Sequence, residues 1–190
     1  MPEWPKKPLF ETEMRHKANR FSCAVLTMSD KGSRGERVDE SGAMLQEMLQ
    51  KEGYQLRAYA LVPDQIEAIA EILVQWVDQD KIDLILTTGG TGVSPTDVTP
   101  EAMRGVIEKE IPGMAEAMRA ASLLLTPHAV LSRAIAGIRG RSLIINLPGS
   151  QKAARENIEV LLPTLPHALD KIQGGTSDCA ALRNSTEAQI

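Results

Sequence analysis

The chain has 190 residues and a formal net charge of −4 at pH 7, a length that fits one domain with short tails. Its 43% hydrophobic and 24% charged residues are typical of globular proteins and argue against a disordered or fibrous chain. The acidic balance, with only two each of Trp, Tyr and Phe, argues against a nucleic-acid-binding protein, which usually has a basic excess or stacking aromatics.

The first half of the chain alternates between predicted strands and helices. We treat residues 1–19 as an N-terminal extension and predict a first strand from Phe21 to Met28. A helix follows over the periodic apolar residues of segment 44–49 and stops at Gly53. Segment 54–62 has the composition of a second strand. The next helix is predicted to open at Pro63-Asp64.

The second half continues this alternation. Segment 82–87 is apolar enough for a strand that is buried on both faces. Thr99, Pro100 and Glu101 form a helix start, with Thr99 as the N-cap. In chain order, the remaining predictions are a helix after Pro112, a strand or irregular segment over 129–136, a strand over 142–147, a helix from Ser150 to Leu161, a short helix ending near Ile172, and a tail over 174–190.

This order predicts an α/β fold, a three-layer α/β/α sandwich with a mostly parallel central sheet, over residues 20–173. In such sheets ligands bind beyond the carboxyl ends of the strands. The informative loops therefore follow Met28, Val62, Thr87 and Leu147.

The loop after the third strand has the chemistry of a phosphate-binding turn. Its glycines, Gly89, Gly90 and Gly92, allow close backbone approach and an anion-binding concavity. The hydroxyls of Thr88, Thr91 and Ser94 could donate to phosphate oxygens, and a carboxylate at Asp97 fits there if Mg²⁺ bridges it to phosphate. The alternative is a tight structural turn with Asp97 as a cap. The common P-loop does not fit, since no Lys-Ser/Thr follows the glycines. The dinucleotide fingerprint G-x-G-x-x-G does not fit either, because Pro95 stands where its third glycine would follow Gly90 and Gly92.

Several other classes of site are disfavoured. We find no apolar run of the roughly 18 residues that a membrane span needs, and no secretory signal over residues 1–20. Cys23 and Cys179 lie far apart without metal-ligand spacing, and the three histidines form no cluster. We therefore expect a cytoplasmic protein with no membrane partner and no His- or Cys-based metal site.

The complete sequence of this loop is a more specific signal than its glycines alone. TTGGTG at 87–92, followed after four residues by DVTPEA at 97–102, resembles the signature of the molybdenum cofactor biosynthesis family. Six further motifs follow in family order: TMSD at 27–30, LVPD at 61–64, IPG at 111–113, LSRA at 131–134, AGIRG at 136–140 and LPG at 147–149. The resemblance covers roughly residues 21–173, and the single-domain length resembles the molybdopterin adenylyltransferase branch (MogA/MoaB-type).

The resemblance implies an enzyme that binds molybdopterin and ATP, transfers AMP to the terminal phosphate of molybdopterin and releases pyrophosphate. It implies a homotrimer and possible contact with a downstream molybdate-inserting enzyme. By motif, Asp64 and Asp97 are the functional acids, which are suited to hold Mg²⁺. The implied nucleotide- or pterin-phosphate-binding residues are Asp30, Thr88, Gly89, Gly90, Thr91, Gly92, Ser94, Ser132, Arg133, Pro148 and Gly149.

Alternatives remain for single residues and for the whole protein. Asp64 could simply be the N-cap of its helix, and Arg133 an ordinary surface charge. Segment 117–155 contains six basic and no acidic residues, which suggests that positive charge faces a phosphorylated ligand; Arg139 and Lys152 are further candidates there. The protein could also be a non-catalytic molybdopterin-binding or scaffold protein. A third alternative is an unrelated nucleotide-binding domain, which would require the matching motifs to be accidental.

Overall fold

The computed structural model describes residues 18–176, so the predicted extension and tail lie almost entirely outside the described residues. The strands are β1 (Ser22–Met28), β2 (Gln55–Val62), β3 (Leu84–Thr88), β4 (Lys109–Glu110), β5 (Ala136–Arg139) and β6 (Ser142–Leu147). The helices are α1 (Asp30–Ser33), α2 (Glu40–Lys51), α3 (Ile66–Asp78), α4 (Thr99–Val106), α5 (Pro112–Leu123), α6 (Gln151–Leu161) and α7 (Leu165–Ile172). A 3₁₀ helix spans Pro127–Leu131.

The sheet has the order β2-β1-β3-β6-β5-β4. Strands β2, β1, β3 and β6 are parallel, whereas β5 and β4 are antiparallel to their neighbours. Strand β5 reverses because only Gly140 and Arg141 connect it to β6, and Gly140 takes a positive φ of 56°. A connection this short can join only antiparallel strands. The mostly parallel sheet confirms the predicted α/β class.

Helices cover both faces of the sheet. Apolar residues of α2, α5, α6 and α7 pack with one face of the sheet, and those of α3 and α4 pack with the other. Strand β3 lies between the two layers and is buried along its whole length. This confirms the three-layer sandwich. Within residues 18–176, no helix is long and apolar enough to cross a membrane.

Segment 129–136, which the sequence left open between strand and irregular structure, divides in two. Residues 127–131 form the 3₁₀ helix, which begins at Pro127 and has the side chain of Thr126 as its cap. Only from Ala136 does the chain join the sheet. The helix starts also shift: α3 begins at Ile66 with Gln65 as N-cap, and α4 includes Thr99, with Val98 as N-cap.

Candidate functional site

Four loops meet at one edge of the sheet. Because β2, β1, β3 and β6 are parallel neighbours, the chain leaves all four strands at their carboxyl ends on that edge. Strand β5 runs the opposite way, so residues 132–135 enter the sheet there as well. The structure therefore brings the loops of the predicted site residues to a common edge.

Asp30 and Asp64 bind each other across two of these loops. The N–H of Asp30 donates to Asp64 Oδ2 at 3.0 Å, and the N–H of Asp64 donates to Asp30 Oδ1 at 3.1 Å. The reciprocal pair joins the carboxyl ends of β1 and β2. The helix cap at this point is Gln65, so the alternative that Asp64 is only the N-cap of α3 is wrong.

The turn after β3 requires glycine for two physical reasons. Gly89 and Gly90 have φ values of 107° and 61°, which other residues rarely adopt. A Cβ on Gly90 would overlap Thr99 Oγ1 and would lie 3.4 Å from Asp64 Oδ1. The backbone at Gly90 therefore passes directly beside the Asp64 carboxylate. Thr99 is fully buried, and its hydroxyl has no hydrogen-bond partner among the described residues.

Asp97 folds back onto the same loop. Its Oδ2 accepts a hydrogen bond from the N–H of Ser94 at 2.8 Å, and its own N–H donates to the carbonyl of Ser94 at 2.9 Å. A Cβ on Gly92 would lie only 2.8 Å from that same Oδ2. The carboxylate is thus held against Gly92, within the loop and not at a helix cap.

The carboxylates at this edge affect one another electrostatically. Burial raises the pKa of Asp64, and the charges of Asp30 and Asp97 raise it further, which outweighs the lowering by the Asp30 N–H. Within residues 18–176 no group of three or more His, Cys, Asp or Glu side chains is arranged to hold a metal ion. Mg²⁺ is commonly bound by only one or two carboxylates, with water and substrate phosphates as its other ligands.

Four hydrogen bonds from three side chains support the glycine turn and the neighbouring loop after β6. The Thr88 hydroxyl donates to the carbonyl of Pro148 at 2.7 Å, so it supports the loop and does not point freely at a ligand. Ser41 Oγ donates to the carbonyl of Gly149 at 2.8 Å. The buried Asn146 amide donates to Thr87 Oγ1 at 3.0 Å and to the carbonyl of Gly89 at 3.3 Å.

Sequence reasoning missed two of these supports. Asn146 had a visible signal, since it is the one amide among the otherwise apolar residues 143–147, and buried polar groups are normally hydrogen-bonded. Ser41 had none, because it lies 108 positions from Gly149 and contacts it only in the folded chain.

Arg133 reaches the loop from the segment before β5. Its Nε donates to the carbonyl of Gly92 at 2.6 Å, and its other nitrogens contact the carbonyl of Asp97 and the carboxylate of Glu101. Its backbone N–H donates to the carbonyl of Thr91 at 2.8 Å. Arg133 is therefore not an isolated surface charge. Its neighbour Ser132 accepts a longer hydrogen bond of 3.4 Å from the N–H of Ala134.

The other basic residues of segment 117–155 do not form one surface. Arg139 is paired with Asp78, with its closest contact at 2.6 Å, and Arg141 donates to the carbonyl of Gln173. Both lie at the opposite edge of the sheet because β5 is antiparallel. The expectation that Arg139 faces a ligand at this site is wrong. Lys152 lies in the first turn of α6, at the same edge of the sheet as Gly149, and its side chain is 85% exposed.

A cavity of about 420 Å³ opens beside the outer part of the loop. It is lined by apolar and charged groups together: Val93, Ser94, Pro95, Asp97, Val98, Glu101 and Arg133. A mixture of apolar walls with a few polar groups is typical of small-molecule sites.

Comparison with known proteins shows which family the chain resembles. Residues 24–167 match the family described as a probable molybdopterin binding domain. A protein of Helicobacter pylori J99 named molybdopterin adenylyltransferase is 44% identical over 154 residues, which cover 79% of this chain and 86% of that protein. Gephyrin of Dictyostelium discoideum is 44% identical over 174 residues, which cover 86% of this chain but only 24% of that protein.

The fold is similar to solved structures as well. The molybdopterin biosynthesis enzyme MoaB of Thermus thermophilus superposes with a TM-score of 0.77 at 51% identity, covering 81% of this chain and 97% of that one. Since the family match spans most of the chain and includes all four loops of the site, the chain belongs to the probable molybdopterin binding domain family.

Proposed function

We propose that the protein acts in molybdenum cofactor biosynthesis as a nucleotidyltransferase that adenylylates molybdopterin. An oxygen of the terminal phosphate of molybdopterin attacks the α-phosphorus of ATP, the bond from that phosphorus to the β-phosphate oxygen breaks, and pyrophosphate leaves. The observation that carries the proposal is that two carboxylates lie against the glycine turn, Asp64 beside Gly90 and Asp97 beside Gly92. The name of the Helicobacter relative supports the same reaction.

The chemical difficulty of this reaction is the approach of two polyanions. No covalent nucleophile is needed, since alignment and charge neutralisation lower the barrier of phosphoryl-type transfers. In our proposal, backbone N–H groups of the Gly89–Gly92 turn bind phosphate oxygens. Ser94, Thr91, Ser132, Pro148 and Gly149 lie on the loops that would border the ligands.

A magnesium ion fits the carboxylate pair in our proposal. Burial is the main cause of the raised pKa of Asp64, and repulsion by Asp30 and Asp97 adds to it. A divalent cation would relieve that repulsion. Asp64 and Asp97 would hold the ion, with Asp30 fixing Asp64 through their reciprocal hydrogen bonds. When bound, the ion would neutralise phosphate charge, and the two aspartates would orient it.

The test measures pyrophosphate release with ATP, Mg²⁺ and molybdopterin together and with each omitted in turn. Asp97→Asn keeps an oxygen for the Ser94 N–H but removes the charge, so we expect turnover to fall by roughly 10²–10³-fold. Asp80→Asn is the matched control, because Asp80 is exposed and follows α3 at the opposite edge of the sheet; its activity should stay at the wild-type level.

The alternative of a non-catalytic molybdopterin-binding or scaffold protein predicts a different pattern. Molybdopterin would bind tightly to the wild-type protein, and no pyrophosphate would appear under any combination of substrates. That pattern would overturn the catalytic proposal.

We also propose self-association as a homotrimer. The end of α5 and the following 3₁₀ helix expose an apolar surface of five residues: Leu123, Leu124, Leu125, Val130 and Leu131. Adjoining apolar side chains of this kind commonly mark an interaction site. Sedimentation equilibrium should give three times the chain mass, and Leu124→Glu should lower it. We further propose contact with a downstream molybdate-inserting enzyme. In the gephyrin relative the matched segment is 24% of a longer chain, so this domain is joined there to further protein.

A further inference from the structure

We infer that Arg133 is a positioning residue, anchored by Glu101, that holds the glycine-rich loop in its reactive shape. The inference deepens the proposed function and rests on it only in taking this loop as the reaction site.

Arg133 holds the loop at three points. Its backbone N–H donates to the carbonyl of Thr91 at 2.8 Å, its Nε to the carbonyl of Gly92 at 2.6 Å, and its Nη2 to the carbonyl of Asp97. The contacts include both ends of the segment 92–97. A rigid guanidinium fork fixes the relative position of such acceptors, which a flexible ammonium does not.

Glu101 fixes the guanidinium in turn. Its carboxylate pairs with Arg133 Nη1 from the first turn of α4. Partial burial raises the pKa of Glu101, but the hydrogen bond and charge of Arg133, with the charge of Arg104, lower it overall. All three nitrogens of the Arg133 guanidinium therefore have protein oxygens as partners, so three of its five N–H groups are used to hold the loop and Glu101.

The segment held in this way carries Asp97, one of the two proposed catalytic acids. Gly92 lies directly beside the Asp97 carboxylate, and the same guanidinium binds the carbonyls of both residues. Release of the guanidinium would free Gly92 and Asp97 to move apart. Misplacement of a catalytic group by about 1 Å can cost about 10²-fold in rate.

The two possible roles of Arg133 predict opposite effects of Glu101→Gln. If Arg133 bound substrate phosphate, removal of the competing carboxylate would strengthen ATP binding and maintain or increase turnover. If Arg133 positions the loop, the same change loosens the loop and lowers turnover. Arg133→Lys separates the roles again, since lysine keeps the charge but lacks the fork.

Arg104→Gln is the matched control. Arg104 lies on the same helix and pairs with Glu101 at 3.9 Å and with Glu110 at 3.5 Å. Within the described part of the chain it makes no hydrogen bond to the loop. It therefore controls for loss of an arginine near Glu101 without loss of the loop contacts.

The experiment measures amide hydrogen exchange over 91–97 in the ligand-free protein, together with ATP affinity and pyrophosphate release. We expect Glu101→Gln and Arg133→Lys to accelerate exchange and to lower turnover by about 10- to 100-fold, and Arg104→Gln to change neither. Unchanged exchange with tighter ATP binding in Glu101→Gln, or wild-type turnover in Arg133→Lys, would overturn the inference. If Arg133→Lys fails to fold, Glu101→Gln alone decides. The exchange measurement needs no substrate, so it stays decisive even if the wild-type protein releases no pyrophosphate.

Discussion

Replacement of Gly89 by alanine tests the construction of the phosphate-binding turn. Gly89 has φ = 107°, a strained conformation for alanine that costs about 1–3 kcal/mol. Its Cβ would also lie 2.5 Å from the carbonyl oxygen of Met28. Because that oxygen belongs to the backbone of a buried strand, relief requires a backbone shift costing a further ~1–3 kcal/mol.

The two costs together predict a loss of roughly 2–6 kcal/mol in the free energy of unfolding. In a chain of this size each kcal/mol lowers Tm by about 2–4 °C. Thermal unfolding followed by circular dichroism should therefore show Gly89→Ala melting well below the wild type, by at least about 4 °C.

Two other glycines separate the two costs. Gly35 has φ = 73°, but nothing lies within 4 Å of a Cβ there, so Gly35→Ala measures conformational strain alone. Gly105 lies in α4 with open space around it, so Gly105→Ala should stabilise the protein by about 0.5–1 kcal/mol. If Gly89→Ala is no more destabilising than Gly35→Ala, the reasoning from close approach to Met28 is refuted.

Two further outcomes follow from the site and one from the buried core. The pKa of Asp64 is raised in the folded protein. The protonated carboxyl group therefore stabilises the fold at low pH, and this stabilisation is lost as the pH rises through the folded-state pKa. Asp64→Asn should therefore raise Tm at pH 7, only slightly because solvent screens a partly exposed group, and should lose this advantage near pH 3. It should also lower turnover about 10²-fold; a lower Tm at pH 7 would contradict the sign. Thr88→Val removes the hydrogen bond to Pro148 and should cost about 1–2 kcal/mol by denaturant unfolding, whereas an unchanged midpoint would show that the contact does not support the loop. Burial raises the pKa of Cys23 to about 12, so mass spectrometry should find it unmodified by iodoacetamide in the native protein at pH 7.5 and modified after unfolding; rapid native labelling would contradict its burial.

The buried strands could be predicted from the sequence because their signal is local. Segment 142–147 is apolar throughout most of its length and matches β6 in both bounds. The glycine string also indicated its turn correctly, since Gly89 and Gly90 take the positive φ that glycine permits. Such features depend on consecutive residues and their intrinsic conformations.

Features that depend on strand direction could not be predicted in the same way. The basic segment suggested one charged surface, yet the reversal of β5 places Arg133 and Arg139 at opposite edges of the sheet. Likewise, Asp30 and Asp64 could be matched to motifs, but their reciprocal hydrogen bonds exist only because β1 and β2 are parallel neighbours. The composition and periodicity of a segment do not define strand order, so they do not predict which distant side chains meet.

The most direct test of the central claim is pyrophosphate release by the purified protein. We expect release only when ATP, Mg²⁺ and molybdopterin are all present, in an amount equal to the adenylylated molybdopterin formed. The release should be lost in Asp97→Asn and kept in Asp80→Asn. Tight molybdopterin binding without pyrophosphate, or full turnover in Asp97→Asn, would contradict it.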